Sequence, residues 1–229
     1  MRGLRLRIDL HVHTVYSRDS LIEIEDLVPR CRAEGLDGLA VTDHGTLEGG
    51  WRAAERCREI VVIPGMEVET PSGHILALNV ERPVEEGLSF VEAVERIHEL
   101  GGLAVVAHPI SLLRPLLDVD VLRASRPDAL EVVNAASFPH SWMARINRAL
   151  AMKLGLPMTG GSDAHIPQAI GRAYTVIDSD SRSVSDILEA VREGRTEALG
   201  GGITLRERLL KVLKMRRPLR VYFTFPSIW

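Results

Sequence analysis

Cysteine is nearly missing from this chain: 229 residues hold only Cys31 and Cys57, which form no CxxC pair and fall in segments that read as helices. Neither a disulfide framework nor a thiolate metal site is expected, and a reducing compartment fits. Long apolar runs are absent too. No stretch approaches the ~18 uninterrupted apolar residues of a spanning helix, so no integral membrane contact is expected. Met1 to Arg7 lacks the apolar core and small-residue cleavage site of a secretory signal, and the expected location is the cytoplasm. Lysine is scarce, with Lys153, Lys211 and Lys214 standing among 28 basic residues, a bias that composition alone does not tie to a habitat. No repeat, low-complexity tract or linker rich in Pro, Gly or Ser interrupts the chain before about Gly200.

What is present is an ordinary balance of 45% apolar and 26% charged residues. The length suits one α/β barrel of roughly 200–250 residues. The net charge of −3 hides a split: residues 201–229 hold seven Arg or Lys against Glu207 alone, leaving the first 200 strongly acidic.

Short apolar runs alternate with helical patterns, the signature of repeated strand-helix units and hence of a parallel sheet or barrel. Strands are expected over 6–12, 38–42, 60–63, 74–80, 103–107, 129–133, 157–159 and 173–177. Helices are expected over 24–34, 47–58, 90–100, 141–154 and 185–193, with Gly35, Gly101 and Gly155 as stops. Residues 1–200 read as one barrel domain. After Gly200, Gly201 and Gly202 comes a basic amphipathic helix through Leu205, Leu209 and Leu213. The apolar stretch Val221 to Trp229 follows, and it is expected to pack on the barrel or pair with a partner. Oligomeric state is open.

The chemistry lies at strand ends. In Asp9-Leu10-His11-Val12-His13 the polar residues alternate with aliphatics, so a regular strand puts all three on one face and converges two imidazoles. Asp43 and His44, Glu67, His108, and Asp163 and His165 each follow another apolar run, where a barrel assembles its active site. Six of the eight histidines sit at such edges: His11, His13, His44, His74, His108 and His165. Ligands of N and O type without thiolate suit Zn, Mn or Fe. Nine candidates exceed what one ion uses, so two or three divalent ions are expected, with Glu67 bridging.

Asp-Leu-His-Val-His-Thr at 9–14, Thr-Asp-His at 42–44, Gly-Met-Glu at 65–67, His108-Pro109 and Gly-Ser-Asp-Ala-His at 161–165 together resemble the PHP (polymerase and histidinol phosphatase) superfamily. The resemblance spans about residues 5–178. It implies an α/β fold, a distorted (β/α)7 TIM-like barrel with a trinuclear site at the C-terminal ends of its strands, and hydrolysis of phosphoesters by a metal-bridging hydroxide. By motif, His11, His13, Glu67 and Asp163 would hold one ion, Glu67, His74 and His108 a second, and Asp19, His44 and His165 a third. A loop residue such as Asp19 also suits a helix cap, and His74 also suits a plain strand start. Asp9 and Asp43 are expected to orient ligands.

Four residues are candidates for substrate contact: Arg172 by its guanidinium fork, His140 as a leaving-group acid, and Glu131 and Asn134 at a strand end, whose position on the rim suits contact with either substrate or the ligand shell. The leading functional class is a phosphatase or phosphodiesterase acting on a small phosphorylated metabolite or nucleotide. A nuclease acting on nucleic-acid ends is the second, supported locally by Arg206, Arg208, Lys211, Lys214, Arg216, Arg217 and Arg220. The solvated face of a docked amphipathic helix is the preferred reading of those charges, and an interfacial membrane helix is a third, weaker one. A non-catalytic RNA-binding barrel, as in the RNase P protein subunit, need not keep so full a ligand set.

Overall fold

Apolar runs too short for helices and helices stopped by left-handed glycines fix the order of elements. The computed structural model describes residues 3–110 and 118–215. Arg216, Arg217, Arg220 and the stretch Val221 to Trp229 lie outside the described residues. The elements are β1 (Leu4–Val12), α1 (Ile24–Glu34), β2 (Gly38–His44), α2 (Glu48–Arg56), β3 (Val61–Thr70), β4 (Gly73–Leu78), α3 (Phe90–Glu99), β5 (Leu103–Ala107), α4 (Val119–Ser125), β6 (Ala129–Asn134), α5 (His140–Leu154), β7 (Met158–Gly161), β8 (Ala173–Ser179), α6 (Val184–Arg192), β9 (Thr196–Gly200) and α7 (Leu205–Met215). Helix α1 shows why these boundaries were readable. Glu23 and Asp26 form a reciprocal capping box at its start, and Gly35, at φ 64°, ends it.

The strands form one mixed sheet in the order β7-β6-β5-β4-β3-β2-β1-β8-β9. It curls into a nearly closed barrel because β7 returns to β1 and β8. Thr175 Oγ1 accepts from Gly160 N–H and donates to Gly160 O, both at 2.9 Å. His13 N–H reaches Ala164 O at 3.0 Å and Asp163 N–H reaches His11 O at 2.8 Å.

Two expectations need correction. The sheet is not all parallel: β4 runs antiparallel to β3 and β5, and β8 antiparallel to β1 and β9. For β3 and β4 the cause is the hairpin at residues 71–72, which is far too short for a parallel crossover. The run at 60–63 continues to Thr70, so Glu67 stands inside a ten-residue strand rather than past its end. Strand β9 and helix α4 carry too weak a pattern to be read locally; β9 exists by pairing with β8.

Ile8, Leu10, Ile63, Leu76, Leu103, Val105 and Ile177 fill the barrel, and Ile187, Leu188 and Val191 of α6 join the same cluster. Outside β1 and β2, Val12, Leu39 and Val41 pack with Ile24, Leu27 and Cys31 of α1. Among the described residues no helix is long and apolar enough to cross a membrane. Residues 203–208 touch the barrel: Ile203 N–H reaches Ala135 O at 2.9 Å, and Arg208 donates to Ala136 O and Ser137 O at 3.1 and 3.0 Å.

Candidate metal centre

His11, in β1, and His13, just past its end, reach the barrel interior by an irregularity that simple alternation does not foresee. The register of β1 on β2 shifts between Asp9 and Val12. Leu10 therefore packs with the interior aliphatics while its neighbour His11 faces Glu67 and Glu131 inside the same barrel. Asp9 is not on the histidines' face as expected. Its carboxylate accepts from Ser162 N–H (2.8 Å), Gly171 N–H (2.9 Å) and His11 N–H (3.3 Å), tying β1 to the strand ends beside it. Such bulges re-aim side chains next to active sites.

Around this point the ligand atoms converge. His11 Nε2 and His13 Nε2 lie 3.1 Å apart. Glu67 Oε2 is 3.4 and 3.3 Å from them, and Asp163 Oδ1 is 3.8 and 3.5 Å away. Four donors bonded at about 2.0–2.1 Å to one tetrahedral ion stand roughly 3.4 Å from each other, so the gap has the size of a cation. The other Glu67 oxygen, Oε1, meets His74 Nδ1 at 2.6 Å and His108 Nε2 at 3.1 Å. On the third side Asp19 Oδ2 is 2.8 Å from His165 Nε2, and Asp19 Oδ1 is 3.7 Å from His44 Nε2. All nine expected ligands are thus brought together. Three subsets, His11-His13-Asp163, His11-Glu67-His108 and His13-His44-His165, each offer atoms within 4.8 Å of one another.

The electrostatics ask for positive charge. Burial disfavours ionisation of Glu67 and Asp163, yet His11 and its neighbours hold both carboxyls well below the usual range. In return burial, which alone would lower the imidazoles, is outweighed by Glu131, Asp163 and Glu67 at His11, and by Asp163 and Glu67 at His13, which rises to about 9. Protons here stand in for cations, and ligating histidines must give theirs up to a metal. Of the seven buried side-chain polar atoms without a hydrogen bond among the described residues, two lie within the cluster, Asp19 Oδ1 and His44 Nδ1. Buried acceptors are rarely left so, and an ion between Asp19 and His44 Nε2 would satisfy Asp19 Oδ1, while His44 Nδ1 faces Glu67 and Glu69 at 3.3 and 3.4 Å. The residues therefore fit divalent metal.

A second layer holds the ligands. Glu131 Oε1 meets His11 Nδ1 at 3.0 Å while its Oε2 accepts from His108 N–H (2.9 Å) and Asn134 Nδ2 (3.0 Å), and Asn134 also reaches Asp163 Oδ2 at 3.3 Å. Asp43 acts one step further back. It accepts from Thr14 N–H and Oγ1 and from Ser17 Oγ (2.7 Å), which lies 3.3 Å from His13 Nδ1. Sequence reasoning missed Ser17; its only trace is the hydroxyl spacing Thr14, Ser17, Ser20 in the ligand-bearing loop. It also missed two glycines. A Cβ on Gly49 would stand 2.0 Å from Asp43 Oδ2, and one on Gly161 would stand 2.4 Å from His11 Cβ. His108 (φ 30°) and Asp163 (φ 52°) adopt the left-handed backbone unfavourable for side chains, a strain that clusters at functional sites.

The substrate candidates are placed differently. Glu131, 1% exposed, and Asn134, 3% exposed, stand behind the ligands rather than on the rim. Arg172 gives its fork to Glu207 at 2.9 and 2.5 Å, because a carboxylate only 5% exposed needs a partner. His140 opens α5 beside Gly202, and burial together with Arg208 and Arg148 lowers its pKa; this is the setting of a packing residue. The cavity above the cluster, about 1000 Å³, is instead walled by the 16–19 loop, the β2-α2 turn, β3 and residues 84–87.

Residues 145–196 match the family described as PHP-associated. An uncharacterized protein of Methanocaldococcus jannaschii is 33% identical over 147 residues, which cover 57% of this chain and 82% of that protein. The structure superposes on a Bacteroides vulgatus two-domain protein containing a predicted PHP-like metal-dependent phosphoesterase. Its TM-score is 0.73 at 21% identity, covering 93% of this chain and 70% of that one. The chain belongs to the PHP superfamily. A further relative, the probable histidinol-phosphatase of Thermotoga maritima, is 25% identical over 205 residues, covering 72% of this chain and 87% of the relative. The barrel is of the TIM-like PHP type.

Proposed function

We propose that this PHP-superfamily hydrolase cleaves the phosphoester of a small phosphorylated metabolite or nucleotide, using two or three divalent ions of the Zn, Mn or Fe class. The observation that carries the reading is the convergence of nine N- and O-donor residues, seven of them in three sets with donor atoms within 4.8 Å of one another and Asp19 and His74 beside them, with Asp19 Oδ1 left without a hydrogen bond. His11, His13, Glu67 and Asp163 would hold one ion. Glu67, His74 and His108 would hold a second, and Asp19, His44 and His165 a third. Such ions supply Lewis acidity, acidifying water and offsetting charge on phosphoryl oxygens.

The chain's own residues then have defined tasks. Glu131 fixes the ring of His11 through Nδ1, so that Nε2 faces the centre. Asp43, through Ser17, does the same for His13. Glu67 divides its oxygens between the His11-His13 side and the His74-His108 side, the position of a bridging carboxylate. The 1000 Å³ cavity admits a metabolite-sized substrate.

The nuclease alternative finds less support in α7, since Arg208 is spent on Ala136 O and Ser137 O and on the Phe138 ring. The test is hydrolysis of p-nitrophenyl phosphate and bis(p-nitrophenyl) phosphate by protein loaded with Mn or Zn. Activity on at least one is expected, falling to background in His11→Ala/His13→Ala. Equal rates in the two proteins would end the proposal.

A further inference from the structure

The cavity over the metal centre is electrostatically lopsided, and the imbalance identifies a residue that neither motif nor family match assigns. Apart from the candidate ligands Asp19, His44 and Glu67, its charged lining among the described residues consists of Arg18 on the 16–19 loop, Glu69 on β3, and Glu85 and Glu86 in the 84–87 segment. Among the described residues Arg18 is the only lysine or arginine lining it.

The backbone on which Arg18 sits is fastened on both sides. Ser17 Oγ bonds Asp43 and accepts from His44 N–H, Ser20 Oγ donates to His13 O, and Leu21 N–H reaches His165 O. Yet Arg18 itself is exposed, and among the described residues it makes no ion pair or hydrogen bond, although three carboxylates line the same cavity. Its neighbours in the wall are engaged elsewhere: Glu85 pairs with Arg96 at 3.0 Å, and Glu69 faces His44 Nδ1 at 3.4 Å. A guanidinium on an anchored loop next to Asp19, and not consumed by protein, is available to an external anion. Its planar fork matches phosphate oxygens.

We infer that Arg18 binds the phosphate of the substrate, and that Glu69, Glu85 and Glu86 confine the site to substrates carrying a single phosphate. This rests on the phosphoester reading above and deepens it. The physical basis is sign. A terminal phosphate is drawn to the Arg18 side, whereas a second phosphate on the same molecule, or the flanking phosphates of a polynucleotide, would approach the carboxylate wall and be repelled.

The test separates binding from turnover. Titration calorimetry measures inorganic phosphate binding to Mn-loaded wild type, Arg18→Ala and Arg18→Lys, with metal content checked in each, so the result does not depend on catalysis. Loss of one charge-assisted contact is expected to weaken phosphate binding about 10- to 100-fold in Arg18→Ala, with partial recovery in Arg18→Lys. The same loss should appear in KM for p-nitrophenyl phosphate rather than in kcat. Undiminished phosphate affinity in Arg18→Ala, with metal content intact, overturns the role of Arg18. For the acidic wall, Glu86→Gln should raise kcat/KM for an alkyl bisphosphate relative to the corresponding monophosphate severalfold, and an unchanged ratio overturns the exclusion. If wild type binds phosphate through Arg18 but hydrolyses neither ester, the phosphoesterase reading fails while the anion site stands.

Discussion

The two ends of one barrel are built on opposite terms. Toward the N-terminal ends of the strands the interior is aliphatic, with Leu6, Ile8, Ile63, Leu103 and Ala129 between 0% and 3% exposed and α6 packed among them. Toward the C-terminal ends, polar and ionisable groups are buried just as deeply: His11, His13 and Asp43 are fully buried, and Glu67 and Glu131 are 1% exposed. Apolar burial favours folding in proportion to area removed from water. Burying carboxylates and imidazoles opposes it unless they are paired or ligate a metal. The mouth of the barrel also carries His108 and Asp163 in left-handed backbone. One end thus holds the fold, and the other is retained at a cost for binding.

That contrast is breakable by experiment. The largest effect is expected from metal removal. An ion present at a thousand times its Kd contributes about 4 kcal/mol, and a chain of this length moves by roughly 2–4 °C in Tm per kcal/mol. Chelation should therefore lower Tm by roughly 8–16 °C in wild type and by almost nothing in His11→Ala/His13→Ala. A drop of the same size in both proteins would show that the mouth needs no ion. Next comes the aliphatic end: Ile8→Ala is expected to cost about 2–5 kcal/mol in urea unfolding while the folded fraction keeps its metal stoichiometry. Parallel loss of metal would mean that the two ends are not separable. The smallest change is Ser17→Ala, which should weaken metal binding about 10- to 100-fold and leave the unfolding midpoint of the metal-free protein where it was. A shifted midpoint at unchanged metal affinity would assign Ser17 to the fold rather than to the centre.

Much of this was legible in the residues themselves. The expected helix at 24–34 coincides with α1 because cap and stop are local: Glu23 and Asp26 at one end, Gly35 at the other. The strand at 103–107 likewise coincides with β5, whose five residues are all buried. The grouping of the nine ligand candidates was readable because a histidine or carboxylate at the end of an apolar run has few structural uses. Other features depend on neighbours far away in sequence. Arg172 looked available for phosphate until Glu207, 35 residues later, was seen to occupy it. Glu131 and Asn134 looked like rim residues, but closure of the barrel brings His11 and Asp163 over them.

By itself, then, the sequence determined the kind of chemistry: donor types without thiolate, strand-end positions and motifs that identify a PHP protein. Only the tertiary structure decided which groups meet. The bulge that turns His11 inward beside Leu10, the hairpin that places Glu67 between His11 and His108, and the hydroxyl of Ser17 linking Asp43 to His13 are all products of strand pairing and barrel closure. The physical reason is range. Capping, turn formation and apolar periodicity act over a few residues, whereas a shared cation requires side chains more than a hundred residues apart to settle within about 4 Å of each other, as His11 and Asp163 do.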